Sequence, residues 1–379
     1  MNKQRIYFPN LNGLRFIAAF LVIIHHIEQL KYIFKIDNYW TTIPFIEVIG
    51  FLGVVLFFVL SGFLITYLLL AEESSFKAIS IRKFYIRRVL RIWPLYFMIV
   101  FLAFFILPNI SFFTLPGFFN SKEALHGGFI IKLFLYLIFV PNLAVILIGI
   151  VPYASHTWSV GVEEQYYVVW PVILKYFKKY RLFVMLGIIF LYVFAVKIIE
   201  LSCTDFIPHK VTVKAFLSTF NIDCMAIGGI FAILLFQKNK ILNFVLNNYF
   251  FYSILLFVIA LLLSGVTLPN FNAEFYALLF GVIILNFAAN DKIKLSLENR
   301  VLNYLGNISY GLYMYHPIGI VLALVICMKL NFISNWLAYP LSFIFTIGLA
   351  GLSYNYFEAF FLKYKTKFSN IVSGKDTKE

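Results

Sequence analysis

Charge is scarce in this chain. Only 13% of its 379 residues are Asp, Glu, Lys or Arg, about half the share of a water-soluble globule. Cysteine is nearly absent: Cys203, Cys224 and Cys327 are odd in number and scattered, which excludes a disulfide framework or a CxxC metal site. No metal is expected. No hydrophilic stretch is long enough for a separate soluble domain, and no internal repeat is visible. The alternating ten-residue segments of an outer-membrane barrel are missing too. What remains is 62% hydrophobic and 20% aromatic. That much apolar surface needs hydrocarbon as its solvent, and each crossing takes about 20 residues of helix so that every backbone group is satisfied within the segment. An all-α, polytopic integral membrane bundle is expected, with the lipid bilayer as its first partner.

The net charge of +14 does not point to nucleic acid, because the basic residues fall in short loops between apolar runs. Spans are predicted at about 12–30, 46–70, 93–107, 158–175, 182–199, 213–236, 249–266, 272–289, 305–327 and 336–360. A further apolar run, 129–150, is interrupted at Pro141-Asn142. Counting charge decides how to treat it. Lys3, Arg5 and the segments 77–91, 175–181, 238–240, 292–300 and 363–378 hold 22 of the 31 basic residues, whereas the opposite loops hold Lys31, Lys35, Lys122, Lys210 and Lys329. A full crossing at 129–150 would put the 175–181 cluster on the wrong side. The run is therefore predicted to be re-entrant, surface-lying or half of a broken helix, which leaves about ten crossings and both termini cytoplasmic. The apolar stretch after Met1 contains Arg15, His25 and His26 and lacks a cleavage site, so it reads as a retained first helix. Residues 1–368 read as one membrane domain and 369–379 as a polar, disordered cytoplasmic tail.

Ionisable groups inside apolar runs are costly and point to function. Arg15 and His26 are eleven residues apart, which returns them to within about 20° of one helix face and separates them by about 16 Å. His25 points elsewhere. The plainer alternative is a snorkelling arginine and interfacial histidines. Arg82, Lys83, Arg87, Arg88 and Arg91 crowd ten residues ahead of Trp93-Pro94. Arg88 and Arg91 share a helix face, and two guanidinium forks suit a phosphate or pyrophosphate, with anionic lipid as the rival ligand. In His156-Thr-Trp-Ser159-Val-Gly-Val-Glu163-Glu164-Gln165-Tyr166-Tyr167, capping explains Ser159 and one glutamate but not two. Adjacent carboxylates there should repel unless one is protonated or both have partners, for which His156, His26 or Arg15 are available. Leu305–Pro317 carries Tyr310, Tyr313 and His316 between glycines, and taken alone is explained by packing. Asp223 is a further intramembrane acid, either an arginine's partner or part of a cavity. Glu274, Glu358, Asp205 and His209 are expected to face solvent near span ends.

Asn12-Gly-Leu-Arg15 through His26, Arg87-Arg-Val-Leu-Arg-Ile-Trp-Pro-Leu-Tyr96, the 156–171 segment and Leu305–Pro317 together resemble the acyltransferase-3 family, in that family's order. The resemblance implies a bacterial cytoplasmic-membrane enzyme moving an acyl group, usually acetyl, from cytoplasmic acyl-CoA to a hydroxyl of a surface or exported polysaccharide. Acetyl-CoA would be the co-substrate. The SGNH-type domain of some members is not seen here, so the acyl group would go directly to the glycan or to a separate extracytoplasmic protein. His26 is the expected base or acyl carrier, with Glu163 or Glu164 holding its tautomer and Ser159 beside them. Arg15 would meet the thioester or the oxyanion. Arg82, Arg87, Arg88 and Arg91 would hold the CoA phosphates, with Tyr310, Tyr313 and His316 on the donor side. The rival class is a transporter or export component for a glycan or its lipid-linked precursor.

Overall fold

The computed structural model describes residues 4–116, 125–201, 204, 206–269 and 271–374; Lys3, Lys122, Cys203, Asp205 and the tail from 375 lie outside the described residues. The helices are α1 Leu11–Ile33, α2 Pro44–Phe76, α3 Ile81–Phe101, α4 Phe129–Leu137, α5 Pro141–Leu147, α6 Trp158–Tyr176, α7 Arg181–Ile198 and α8 Lys210–Thr219. They continue as α9 Ile222–Phe236, α10 Leu242–Val245, α11 Asn248–Ser264, α12 Asn272–Ala289, α13 Arg300–Asn307, α14 Ser309–Lys329, α15 Asn335–Leu352 and α16 Ala359–Lys365. Local chemistry sets their ends. Pro44 opens α2, where its missing N–H costs nothing, and the Asn247 side chain accepts from the amides of Tyr249 and Phe250 at the start of α11. Gly265 ends α11 with φ 64°.

Eight helical runs among the described residues are long and apolar enough to cross a bilayer. All ten expected spans coincide with helices. The two outside that count are α6, which carries Glu163, Glu164 and Lys175, and α11, which has 17 residues. The 129–150 run is two short helices broken at 138–140, with Pro141 at the first position of α5. Ile130 on α4 is 80% exposed, while Asn142 on α5 is buried and hydrogen-bonded to Thr219 and Gln165. This run is thus a broken element, as the charge count predicts, and at the break Phe139 is buried and its carbonyl accepts from Gln165 Nε2 at 2.9 Å.

Helices α2 and α14 form the interior, with 72% and 78% of their apolar windows buried, against 6% for the lipid-facing α7. The crossing of α2 with α9 is close because both present glycine. A Cβ at Gly62 would lie 1.9 Å from Met225 O, and one at Gly228 would lie 2.2 Å from Val59 O. Gly228→Leu should therefore force the helices apart and cost about 1–3 kcal/mol or more. A fall in the detergent melting temperature, larger than for Gly187→Leu where the added Cβ meets nothing, checks this.

The first and last described segments lie together at one end of the bundle. Strand β1 (Gln4–Ile6) pairs in parallel with β2 (Ile371–Ser373), so the tail is ordered through 374 and not disordered from 369. Only a strand partner 367 residues distant reveals this. The basic loops gather at the same end. Asn10 accepts from Leu297 N at 2.7 Å, Lys83 Nζ donates to Asn370 Oδ1 at 2.8 Å, and Lys178 and Arg181 pair with Glu73. At the far end of α1, Lys31 is 1% exposed and bonded to Glu28 at 2.6 Å and Asn335 at 2.7 Å. Glu28 also accepts from Tyr339 and from the Tyr39 amide. This satisfied buried pair ties the 34–43 segment down, and Trp40 in that segment lies 4.7 Å edge-to-face from His25.

Candidate active site

Backbone carbonyls set the imidazoles of α1. His26 Nδ1 lies 2.8 Å from Val22 O, one turn back. A carbonyl can only accept, so Nδ1 holds the ring hydrogen and Nε2 presents a lone pair. His316 is fixed in the same way by Tyr313 O at 2.6 Å, and His25 by Ile46 O at 2.8 Å. The His26 ring lies 4.6 Å from His316, which lies 4.8 Å from His156. Nε2 of His316 and of His156 are buried without a partner among the described residues, whereas His26 is partly accessible. At the end of this row Tyr313 OH donates to His156 O at 2.7 Å and lies 2.7 Å from Ser159 Oγ.

The second group of polar residues sits toward the end that carries the termini. Glu163 accepts from Ser61 and Tyr167, and Trp93 Nε1 donates to Glu164 Oε2 at 3.0 Å. Arg88 lies over the Tyr167 and Phe84 rings at 5.2 and 5.4 Å, with its Nε buried and unbonded. Arg15 donates to Asn12 Oδ1 at 3.3 Å, and the charges acting on it are Arg91, Arg88 and Glu163, with Tyr167. Arg91 makes no hydrogen bond or ion pair among the described residues; its charge acts on Glu358. Arg15, Arg88 and Arg91 are each partly accessible. Three guanidinium groups thus converge with few hydrogen bonds spent on protein, an arrangement suited to an anionic ligand. Tyr310 OH donates to Ile92 O at 2.9 Å beside them.

Three helices connect the two groups. α1 carries Arg15 and His26, α6 carries Glu163 about one turn and Tyr167 about two turns beyond Ser159, and α14 carries Tyr310 about one turn before Tyr313 and nearly two before His316. One axis therefore runs from the guanidinium cluster to the imidazole row.

Several expectations change at this level of detail. Neither glutamate contacts His26: both lie with the arginines, and the tautomer expected to need a carboxylate is held by Val22 O. Tyr313 and His316 belong to the imidazole row and not to the arginine side. Arg15, about 16 Å from His26 along α1, stands with Arg88 and Arg91. Arg87 faces away, to Phe368 O at 3.0 Å and Glu72 at 3.4 Å. Arg82 is exposed and lines a separate cavity of about 490 Å³ with Lys175 and Asn370. Asp223 has no arginine partner; it is buried with Oδ1 unbonded, and Glu274 is the acid beside it. Glu358, expected to face solvent, is 7% exposed and accepts from Ser353 Oγ at 3.1 Å. Among the described residues no group of His, Cys, Asp and Glu has the geometry to hold a metal ion. Reading by sequence spacing missed Ser61, the hydrogen bond from Trp93 to Glu164 and the contact of His156 with His316. Their only signal was a polar or indole group within an apolar run.

No solved structure gives a significant match. The chain is 28% identical over 402 aligned positions to a provisionally named O-acetyltransferase of Staphylococcus aureus (strain COL), covering 97% of this chain and 59% of that protein. It therefore spans less than two thirds of the length of such curated relatives. It is 31% identical over 186 positions to the peptidoglycan O-acetyltransferase OatA of Listeria monocytogenes, covering 47% of this chain and 26% of that protein. The acyltransferase-3 family model, described as an acyltransferase domain, matches residues 8–355 and so takes in every helix that carries the two groups. The chain belongs to the acyltransferase-3 family.

Proposed function

We propose that this chain is a multi-pass O-acyltransferase of the bacterial cytoplasmic membrane that moves an acetyl group from acetyl-CoA to a hydroxyl of an exported or surface glycan. The observation that carries the reading is the convergence of Arg15, Arg88 and Arg91, partly accessible and poorly partnered, at one end of the stripe that ends in His26. Phosphates of the donor would sit among the guanidinium groups, on the side of the basic loops and hence of the cytosol. The pantetheine arm has the backbone length of about four residues, roughly 14 Å extended. That matches the rise of about 16 Å from Arg15 to His26. The thioester would then reach the imidazole row. There His26 Nε2 takes the proton of the acceptor hydroxyl as its oxygen attacks the thioester carbonyl, and the tetrahedral intermediate expels CoA thiolate, which is then protonated. An acetylated hydroxyl and free CoA result. The Listeria relative's name suggests a peptidoglycan sugar as one acceptor class. A separate extracytoplasmic protein is the alternative recipient.

One observation favours a transport reading. Two interrupted helices meet where Asn142 beside the 138–140 break donates to Thr219 at the α8–α9 break, and paired broken helices are common in transporters. Thiol release from acetyl-CoA by the purified protein in nanodiscs, with acceptor-bearing membranes added, separates the two. Turnover supports the enzyme; absence of both turnover and acetyl-CoA binding, with glycan uptake retained, overturns it.

A further inference from the structure

The C-terminal strap approaches the guanidinium cluster in a way that residue spacing did not indicate. α15 continues through a π-helical stretch at Ser353–Glu358 into α16, which packs on α3, the helix of Arg88 and Arg91. Beyond α16 the chain is fastened at four points. Arg87 donates to Phe368 O at 3.0 Å, Lys83 to Asn370 Oδ1 at 2.8 Å, Asn370 to Glu72 at 2.8 Å, and β2 pairs with β1. These contacts hold the last turn of α16 in place, and that turn carries Lys365.

Lys365 is partly accessible, and its side chain has no hydrogen bond or ion pair among the described residues. The charges that act on it most are those of Arg91, Arg88, Arg15 and Arg87. Neighbours differ. Lys363 and Lys367 on the same turn are exposed, and Lys83 and Arg87 spend their donors on the strap. A lysine on the helix packed against α3, within the fields of Arg91, Arg88 and Arg15, is repelled by them, and an anion lying between relieves that repulsion. A bound polyanion would turn that repulsion into attraction and use the lysine and the guanidinium groups together.

We infer that Lys365 is a ligand of the donor's phosphates, supplied by the C-terminal strap, so that residues 359–374 form one wall of the donor site. The inference rests on the acyl-CoA reading above. It makes the site a composite of α1, α3 and the chain's own end, with the lysine's point charge completing a cradle of guanidinium forks. The phosphates could alternatively be those of an anionic lipid headgroup, which offers the same chemistry to the same cluster.

The test uses the full chain in nanodiscs of neutral phosphatidylcholine, and again with phosphatidylglycerol added. Steady-state constants are measured with acetyl-CoA and with S-acetyl-pantetheine, which lacks the phosphates. Lys365→Met should raise KM for acetyl-CoA about tenfold or more, leave kcat within about twofold, and leave S-acetyl-pantetheine kinetics unchanged in both lipids. Lys365→Arg should restore most of the loss, and Lys363→Met should have no effect. An unchanged KM for acetyl-CoA, or an equal rise for both donors, overturns the inference. An effect confined to phosphatidylglycerol discs assigns the lysine to lipid and also overturns it. A wild-type protein that turns over neither donor overturns the acyl-CoA reading, and this inference with it.

Discussion

His26→Ala should lower kcat for acyl transfer by about 10²–10⁴-fold, the share a well-placed general base contributes. Donor binding should be unaffected, because the phosphates would be held about 16 Å away along α1. The size of the effect follows from the absence of a substitute. His25 is committed to Ile46 O and sits on another face, and His316 and His156 are buried behind the first ring. Initial rates in nanodiscs, beside the melting temperature and the acetyl-CoA Kd, check all three parts. His316→Ala should cost less. It removes a ring that packs 4.6 Å from His26 and leaves the Nδ1 bond to Val22 O in place.

Arg91→Met should weaken acetyl-CoA binding between about tenfold and a hundredfold. A hydrogen bond between charged groups is worth about 1.5–3 kcal/mol, and 1.4 kcal/mol is a factor of ten. Among the described residues Arg91 spends no side-chain donor on protein, so the loss should fall on the ligand and little on stability. Arg88→Met should weaken binding similarly but also lower the melting temperature, because Arg88 stacks over Tyr167 and Phe84. Arg91→Lys should recover only part, since a fork is replaced by a point charge. Calorimetric titration at two salt concentrations measures all three variants, and the wild-type affinity should fall at high salt.

Helix identity was legible because hydrocarbon imposes one rule on every span, and Lys and Arg placement carried the orientation signal that singled out 129–150. The stripe from Arg15 to His26 was legible for a related reason. Eleven residues nearly close three helical turns, so one helix sufficed to place both groups. What failed needed contacts between helices. Whether Glu163 and Glu164 face His26 or the arginines depends on how α6 is set against α1 and α3, and a single sequence carries no trace of that register. Tyr313 and His316 were sorted with the donor because they share a motif with Tyr310. One helical turn separates the two groups on α14. Lys365 and Glu358 were hidden at the end of a basic, polar segment, where any such residue reads as solvated. Glu28 was hidden by Lys31, whose position at a span end suggested a loop charge and not a buried pair.

The central claim is that the donor lies along the face of α1 that runs from the guanidinium cluster to His26. An experimental structure of the protein with a non-hydrolysable acetyl-CoA analogue tests this most directly. The account predicts phosphate oxygens within hydrogen-bonding distance of Arg88 and Arg91 and the thioester carbonyl beside His26 Nε2. An analogue bound elsewhere, or one whose acyl end points away from the imidazole row, would contradict it.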